Sequence, residues 1–201
     1  MRMVLLEELS FFQKMVHADY ALMLKINRDW HFPIFDTVSL FIRESTFWTP
    51  LYVFLLLLVT INYGRQGFWW AVALIGLVAL TDLLSSHVIK EILYRPRPCR
   101  DEFMAHKIRF LAKTCGMNGS FTSSHATNHF AIAMFLYRTL RPKSSWWGIA
   151  FLWAGLISYA QVYVGVHYPA DVIGGALLGS FAGFIAARLF NHQTGLGLTN
   201  E

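Results

Sequence analysis

Residues 50–80 read PLYVFLLLLVTINYGRQGFWWAVALIGLVAL, two apolar runs parted at Asn62, Tyr63, Gly64 and Arg65. Thr49 and Pro50 suit an N-cap and a first helical position, because proline has no N–H to lose there and its fixed φ fits a helix. The first run opens a helix that passes through residues 55–58 and stops near Gly64. A short turn at Arg65 leads into a second helix, from about Trp69 to Leu93. That helix carries Asp82, Ser85, Ser86, His87 and Lys90 in or near its membrane-embedded half. Ionisable groups at such depth are costly and mark function by default.

Downstream, a third helix runs from Ser124 to about Leu140, where Arg138, Arg141, Pro142 and Lys143 end the apolar run. A fourth covers about Trp146 to Val164, and a fifth runs from Pro169 to Phe190. Gly175, Gly179 and Gly183 recur every fourth residue in the fifth, which lines them on one face where another helix can approach closely. Upstream, the first forty or so residues mix apolar clusters with charges and lack the roughly 18 apolar residues of a spanning helix. They suit helices lying in the membrane interface, with Trp30, Phe32 and Phe35 beside Asp36 and Arg43 at headgroup depth. Glu7, Glu8 and Asp19 argue against a signal peptide, so the mature chain is expected to begin near Met1.

Composition agrees with this pattern. The 201 residues are 55% hydrophobic and 14% charged, against about 45–50% and about 25% in a soluble domain. The expected fold is all-α, a polytopic membrane helix bundle of about five spanning helices plus N-terminal interfacial helices. One domain covers 1–201, with interfacial helices at 1–45 and the spanning bundle at 46–190. The long loop at 94–123 roofs the site.

A net charge of +5 invites nucleic acid as a partner, but the cations cluster at the ends of apolar segments rather than along a stripe interleaved with aromatics. Phosphate or anionic headgroups at the membrane surface fit instead. Arg95, Arg97, Arg100, Lys107, Arg109 and Lys113 crowd the long loop. Arg138, Arg141 and Lys143 lie on the opposite face, so the positive-inside rule does not orient the bundle.

An up-and-down bundle brings three polar segments to one face: Lys90 to Pro98, Thr122 to His125, and Gln161 to Asp171. Lys90 and Arg97 supply fixed positive charge, and Arg presents a planar fork matched to phosphate oxygens. Ser123 and Ser124 stand where the first N–H groups of the third helix and its dipole favour an anion. His167 and Asp171 are four residues apart. The carboxylate can hold one imidazole nitrogen and leave the other as a nucleophile. His125 then serves as general acid. His87, His106, His129 and His192 lack such partners and read as structural. Zinc prefers convergent imidazoles or thiolates without competing cations, so no metal and no other cofactor is expected.

These residues resemble the type 2 phosphatidic acid phosphatase superfamily of membrane lipid phosphatases, whose pattern is Lys, six residues, Arg-Pro; Pro-Ser-Gly-His; and Ser-Arg, five residues, His, three residues, Asp. Lys90 with Arg97-Pro98 matches the first part, Ser123 and His125 the second, and His167 with Asp171 the third. The likeness covers about Thr81 to Ser180. It implies that His167 forms a phosphohistidine, that Asp171 orients it, that His125 is the acid and that no metal takes part.

Thr122 and Ser124 replace the family's Pro and Gly, and Ala160-Gln161 replaces its Ser-Arg. Gln161 offers a neutral hydrogen bond, about 0.5–1.5 kcal/mol against about 1.5–3 for a charged one. Arg95 or Arg100 is the expected substitute for the missing charge. Cys99 and Cys115 flank the middle of the loop; two free thiols or a bridge are both open, and a disulfide on the outer face of the membrane is expected.

The expected function is hydrolysis of a lipid phosphate or diphosphate at the outer, periplasmic face of the cell membrane. By resemblance, undecaprenyl diphosphate is the first candidate. Phosphatidylglycerol phosphate, phosphatidate and lipid A 1-phosphate follow. Phosphoryl transfer between lipids, or a weakened member that binds or transports lipid phosphate, are the competing readings, the latter resting on Gln161.

Overall fold

The computed structural model describes residues 10–196, so Glu7 and Glu8 lie outside the described residues. Among the described residues, six helices of ten or more residues follow one another: α1 (Phe11–Leu24), α2 (Pro33–Ile42), α3 (Thr49–Leu83), α4 (Ser124–Leu140), α5 (Ile149–Tyr163) and α6 (Pro169–Gln193). No strand occurs among the described residues.

α3 is two helices in one. At Gly64 the backbone takes φ 53°, a left-handed conformation that glycine enters without a Cβ penalty, and the chain turns back. A Cβ on Gly67 would lie 2.3 Å from the carbonyl oxygen of Val59, whereas eight residues of straight helix would separate them by about 12 Å. The break falls where Asn62 to Arg65 predict it. The start differs slightly: Trp48 is the N-cap and Thr49 is already helical. The second arm ends in a π-helical turn, Leu84–Ile89, followed by the single turn Lys90–Ile92.

The larger core lies between the two arms of α3 and helices α4, α5 and α6, around Val59, Trp70, Leu74, Phe135 and Phe190. Trp70 is fully buried and its Nε1 donates to Thr139 Oγ1 at 2.8 Å. The expected glycine seam brings α6 onto α4: a Cβ on Gly179 would stand 2.0 Å from the carbonyl oxygen of Thr127. On the opposite side of α6, Ile173, Leu177, Phe181, Ile185 and Leu189 are 40–69% exposed. An apolar stripe at every fourth residue faces hydrocarbon, not water. α6 has 25 residues, enough at about 1.5 Å each to cross a bilayer core of about 30 Å. The 48-residue stretch Ser45–Ile92 is equally apolar.

The N-terminal helices both expose apolar side chains and pack into the protein. Phe11, Phe12, Trp30, Ile34 and Phe41 are exposed, an apolar surface of the kind that an interfacial helix would present. Met23 and Ile26, however, join Met104, Ala112, Val164 and Tyr168 in a second core under the long loop. Asn27 is fully buried there. Its Nδ2 donates to the carbonyls of Tyr163 at 2.6 Å and Arg109 at 2.8 Å, while its Oδ1 accepts from the Arg109 N–H at 2.7 Å. Arg109 also pairs with Asp36, which accepts from the Tyr163 hydroxyl at 2.5 Å. The segment braces the loop against α5.

The loop is tied down along its length. Ser120 N–H donates to the Arg95 carbonyl at 2.8 Å, and Leu111 N–H to that of Val164 at 3.1 Å. Cys99 and Cys115 form a disulfide with Cα atoms 6.1 Å apart.

Candidate active site

The polar ends of α3, α4, α5 and α6 enclose a cavity of about 320 Å³. Lys90, Arg97, Ser124, His125, Gln161 and His167 all line it, together with Arg43, Asp82, Ser86, Thr114 and Gly116. Residues from four sequence segments far apart thus meet at one site.

His167 sits in the short connection between α5 and α6, where Gly165 at φ 90° turns the chain sharply. A Cβ at Gly165 would meet the Arg109 carbonyl at 3.1 Å, so the loop packs close against this turn. The His167 side chain is 3% exposed. Arg97 Nη1 donates to its Nε2 at 3.1 Å and to the Val166 carbonyl at 3.3 Å. A guanidinium cannot accept a proton here, so Nε2 carries the lone pair and Nδ1 the hydrogen. Nδ1 points toward Asp171 Oδ2 at 3.6 Å and has no closer partner. Such a contact is longer than a hydrogen bond and of the kind that tightens when substrate binds. Burial pushes the His167 imidazole down to about 4; Asp171 pulls upward and the cations Arg97 and Lys90 add to the fall. The side chain is neutral near pH 7.

Asp171 lies behind His167, fully buried at the start of α6. Its Oδ2 accepts from the Tyr168 N–H at 2.8 Å and its Oδ1 from Arg95 Nη1 at 2.9 Å. Tyr168 is itself anchored, its hydroxyl donating to Asp101 at 2.8 Å. Tyr20 donates to the same carboxylate oxygen at 2.9 Å. Burial works against the Asp101 charge, but these donors and two backbone N–H groups hold its carboxyl below the usual range.

On the opposite wall, Lys90 Nζ donates to Ser124 Oγ at 2.8 Å. Ser86 and Ser124 hydroxyls share a hydrogen bond at 2.8 Å, and Ser86 donates to Asp82 at 3.4 Å. Asp82 therefore orients Lys90 indirectly, through two serines. Ser123 is the N-cap of α4, fully buried, its Oγ accepting from the Ala126 N–H at 3.4 Å. The hydroxyl presented to the cavity is that of Ser124, and Ser123 shapes the turn behind it. His125 follows in the first turn, its ring stacked 6.4 Å from that of His129. His129 is held by Tyr52 at 2.8 Å and by the His125 carbonyl at 2.7 Å.

The expectation that Arg95 or Arg100 replaces the missing charge does not hold. Arg95 is occupied by Asp19 at 2.5 Å and by Asp171, and Arg100 donates to the Cys115 carbonyl at 3.2 Å. Neither lines the cavity. Arg43, at the end of α2, does. Its Nε donates to Gln161 Oε1 at 3.3 Å, and Gln161 Nε2 donates back to the Arg43 carbonyl at 3.3 Å. Sequence reasoning places Arg43 only at headgroup depth. The signal that could have found it is the uncharged Gln161, which leaves a cation to be supplied from outside the motifs.

Three cations, two imidazoles and three hydroxyls, against the single carboxylate of Asp82, line this small cavity and suit a phosphate. Among the described residues no three His, Cys, Asp or Glu side chains converge as metal ligands. A second cavity of about 490 Å³, apolar and lined by Leu55, Leu56, Leu74, Ile75, Val78 and Ile132, runs between the arms of α3 and α4 and shares Asp82 with the first.

Comparison with known proteins gives concordant results. The family model described as the PAP2 superfamily matches residues 67–194. The chain is 32% identical over 171 residues to lipid A 4'-phosphatase of Bacteroides thetaiotaomicron, covering 79% of this chain and 73% of that protein. It is 26% identical over 158 residues to the undecaprenyl-diphosphatase BcrC of Bacillus subtilis, covering 79% and 76%. Among solved structures, a transmembrane PAP2-type phosphatidylglycerolphosphate phosphatase from Bacillus subtilis superposes with a TM-score of 0.68 at 27% identity, over 90% of this chain and 87% of that one. Aquifex aeolicus LpxE gives 0.60 at 26%, over 84% and 93%.

Proposed function

Because the chain belongs to the PAP2 superfamily, we propose that its cavity hydrolyses a lipid-linked phosphate, with no metal, through a phosphohistidine on His167. The chain is a membrane phosphatase by that membership. The observation that carries the mechanism is the Nε2 lone pair of His167 facing Arg97 at 3.1 Å, with Asp171 behind Nδ1. Substrate phosphate enters between them and takes over the guanidinium. Nε2 attacks phosphorus, the bond from phosphorus to the lipid oxygen breaks, and His125 delivers a proton to that oxygen. Water then attacks the phosphohistidine, giving its proton to His125, and inorganic phosphate leaves. Lys90, Arg97 and the first N–H groups of α4 carry the charge that builds on the phosphoryl oxygens.

The apolar cavity that meets the site at Asp82 would take the hydrocarbon of the substrate. Undecaprenyl diphosphate, the expectation from sequence, and the 4'-phosphate of lipid A, named in the Bacteroides relative, are the two substrates we set first. We place the site on the outer face of the cell membrane, supported by the Cys99–Cys115 bridge, since disulfides persist in oxidising compartments. One domain over 1–201, with residues 1–45 as its interfacial part, completes the reading. The alternative of a lipid-phosphate binding protein rests on Gln161, and a cation at Arg43 in the cavity wall favours the enzyme over it.

The test is phosphate release by the purified protein from these lipids and from phosphatidylglycerol phosphate and phosphatidate, with chelator present. Acid-labile, base-stable ³²P should appear on the wild type and not on His167→Ala. Label that persists on His167→Ala, or activity lost to chelator, overturns the mechanism.

A further inference from the structure

We propose that Arg43 is the third cationic ligand of the substrate phosphate, and that Gln161 is the bracket that holds it in place. The inference rests on the reading of the cavity as a phosphatase site. α2 ends at Ile42, so Arg43 lies on the short link to α3, outside residues 67–194 that the family model matches. Its side chain is 16% exposed and forms part of the cavity wall with Lys90 and Arg97.

The position is built rather than incidental. Gln161 is fully buried, and a buried amide must find partners for both its ends. It finds them on one residue: Oε1 accepts from the Arg43 side chain and Nε2 donates to the Arg43 carbonyl, both at 3.3 Å. This pair of bonds fixes backbone and guanidinium together. Nη1 donates to Glu44 at 2.6 Å, on a carboxylate 53% exposed. Nη2 has no hydrogen-bond partner among the described residues. A guanidinium with Nε on a bracket, Nη1 on an exposed acid and Nη2 free keeps one arm for a phosphate oxygen.

Electrostatics supports the same role. Arg43 and Arg97 are near enough to feel each other's charge, and Lys90 lines the same cavity. Held together without an anion these cations repel, and a phosphate with two negative charges relieves that repulsion. A residue whose only task was to cap Gln161 could do so with a neutral amide. The pair with the exposed Glu44 uses Nη1 alone, so the guanidinium keeps charge and Nη2 for an anion in the cavity. The phosphate cradle therefore draws one arm from the N-terminal segment, and the family-matched region alone is an incomplete site.

Four forms of the full-length protein test this: wild type, Arg43→Gln, Gln161→Arg and the double variant Arg43→Gln/Gln161→Arg, each checked for an unchanged thermal midpoint. Phosphate release and half-inhibition by orthovanadate, a phosphate mimic, are both measured. Arg43→Gln should lower kcat/KM about ten- to a hundredfold, the range for replacing a charged by a neutral hydrogen bond, and raise the vanadate needed by a similar factor. The double variant should recover most of the loss, because the charge returns from position 161. Arg43→Lys, which keeps the charge, should fall between wild type and Arg43→Gln, and it takes over as the test variant should Arg43→Gln prove unstable.

Arg43→Gln or Arg43→Lys with wild-type vanadate sensitivity and turnover, in a protein that His167→Ala inactivates, overturns the inference and leaves the phosphatase reading standing. A loss in Arg43→Gln that Gln161→Arg does not recover assigns Arg43 to structure and also overturns it. A wild type that releases phosphate from none of the lipids overturns both.

Discussion

Arg95 grips Asp171 from behind: one guanidinium nitrogen donates to Asp171 Oδ1 at 2.9 Å and the other to Asp19 of α1 at 2.5 Å. Asp19 in turn accepts from the Ala170 N–H at 2.8 Å, and the guanidinium lies 3.8 Å from the centre of the Tyr168 ring. The carboxylate that faces His167 thus cannot swing. Helix α1 reaches Asp171 through one arginine.

Replacing Arg95 by Met should therefore misalign His167 rather than weaken phosphate binding. We expect kcat to fall about tenfold to a hundredfold, the scale on which small displacements of reacting groups act, with KM and vanadate inhibition changed little. Arg97→Ala should differ by raising KM and the inhibitory vanadate concentration together. Steady-state kinetics on one lipid phosphate separates the two arginines; an Arg95 variant with unchanged kcat would refute the positioning role.

The contrast between these arginines shows what sequence can and cannot reveal. Lys90, His125, His167 and Asp171 stand out because helix periodicity alone brings the ends of neighbouring helices to one face, and each residue has a partner at a fixed spacing. The break at Gly64 and the seam at Gly179 are equally legible, since local backbone chemistry determines them. Arg43 and Asp19 are not, because their roles depend on how the N-terminal helices fold back over the loop. Contacts such as Asn27 with Tyr163, 136 residues apart, leave no periodic trace in one sequence. Ser123 and Ser124 cannot be ranked either, because which hydroxyl caps the helix and which faces the cavity depends on the turn entering α4.

The pH dependence of His167 follows from its setting. In the proposed mechanism its attacking form is the neutral imidazole, and burial holds the folded-state value at about 4, below the ordinary value of about 6.5. The neutral fraction stays high as pH falls through 6 and is lost only near 4. The signs of two substitutions also follow: Arg97→Ala removes a cation that opposes protonation and should raise the midpoint, whereas Asp171→Asn removes the anion that favours it and should lower the midpoint further. Titration of ¹³C-labelled histidine by NMR in detergent micelles would read all three. A His167 midpoint near 6.5 in the wild type would refute the buried neutral nucleophile.

The Cys99–Cys115 bridge should matter to stability and to Arg97 together. It joins positions 16 apart, and closing a loop of that size stabilises by about 3 kcal/mol in the chain-entropy model. Gly116, beside the bridge, leaves so little room that a Cβ there would stand 3.0 Å from Arg97 Nε, and the Asn118 carbonyl accepts from that Nε at 3.1 Å. The bridged segment is thus the outer wall of the Arg97 pocket. The double variant Cys99→Ser/Cys115→Ser should melt earlier than wild type and show a raised KM, while its kcat at saturation stays close to wild type because His167 and Asp171 are held by other contacts. In whole cells, a membrane-impermeant thiol reagent should label the native protein only after reductant. Equal labelling with and without reductant would argue against the bridge and, with it, against the outer-face placement that it supports.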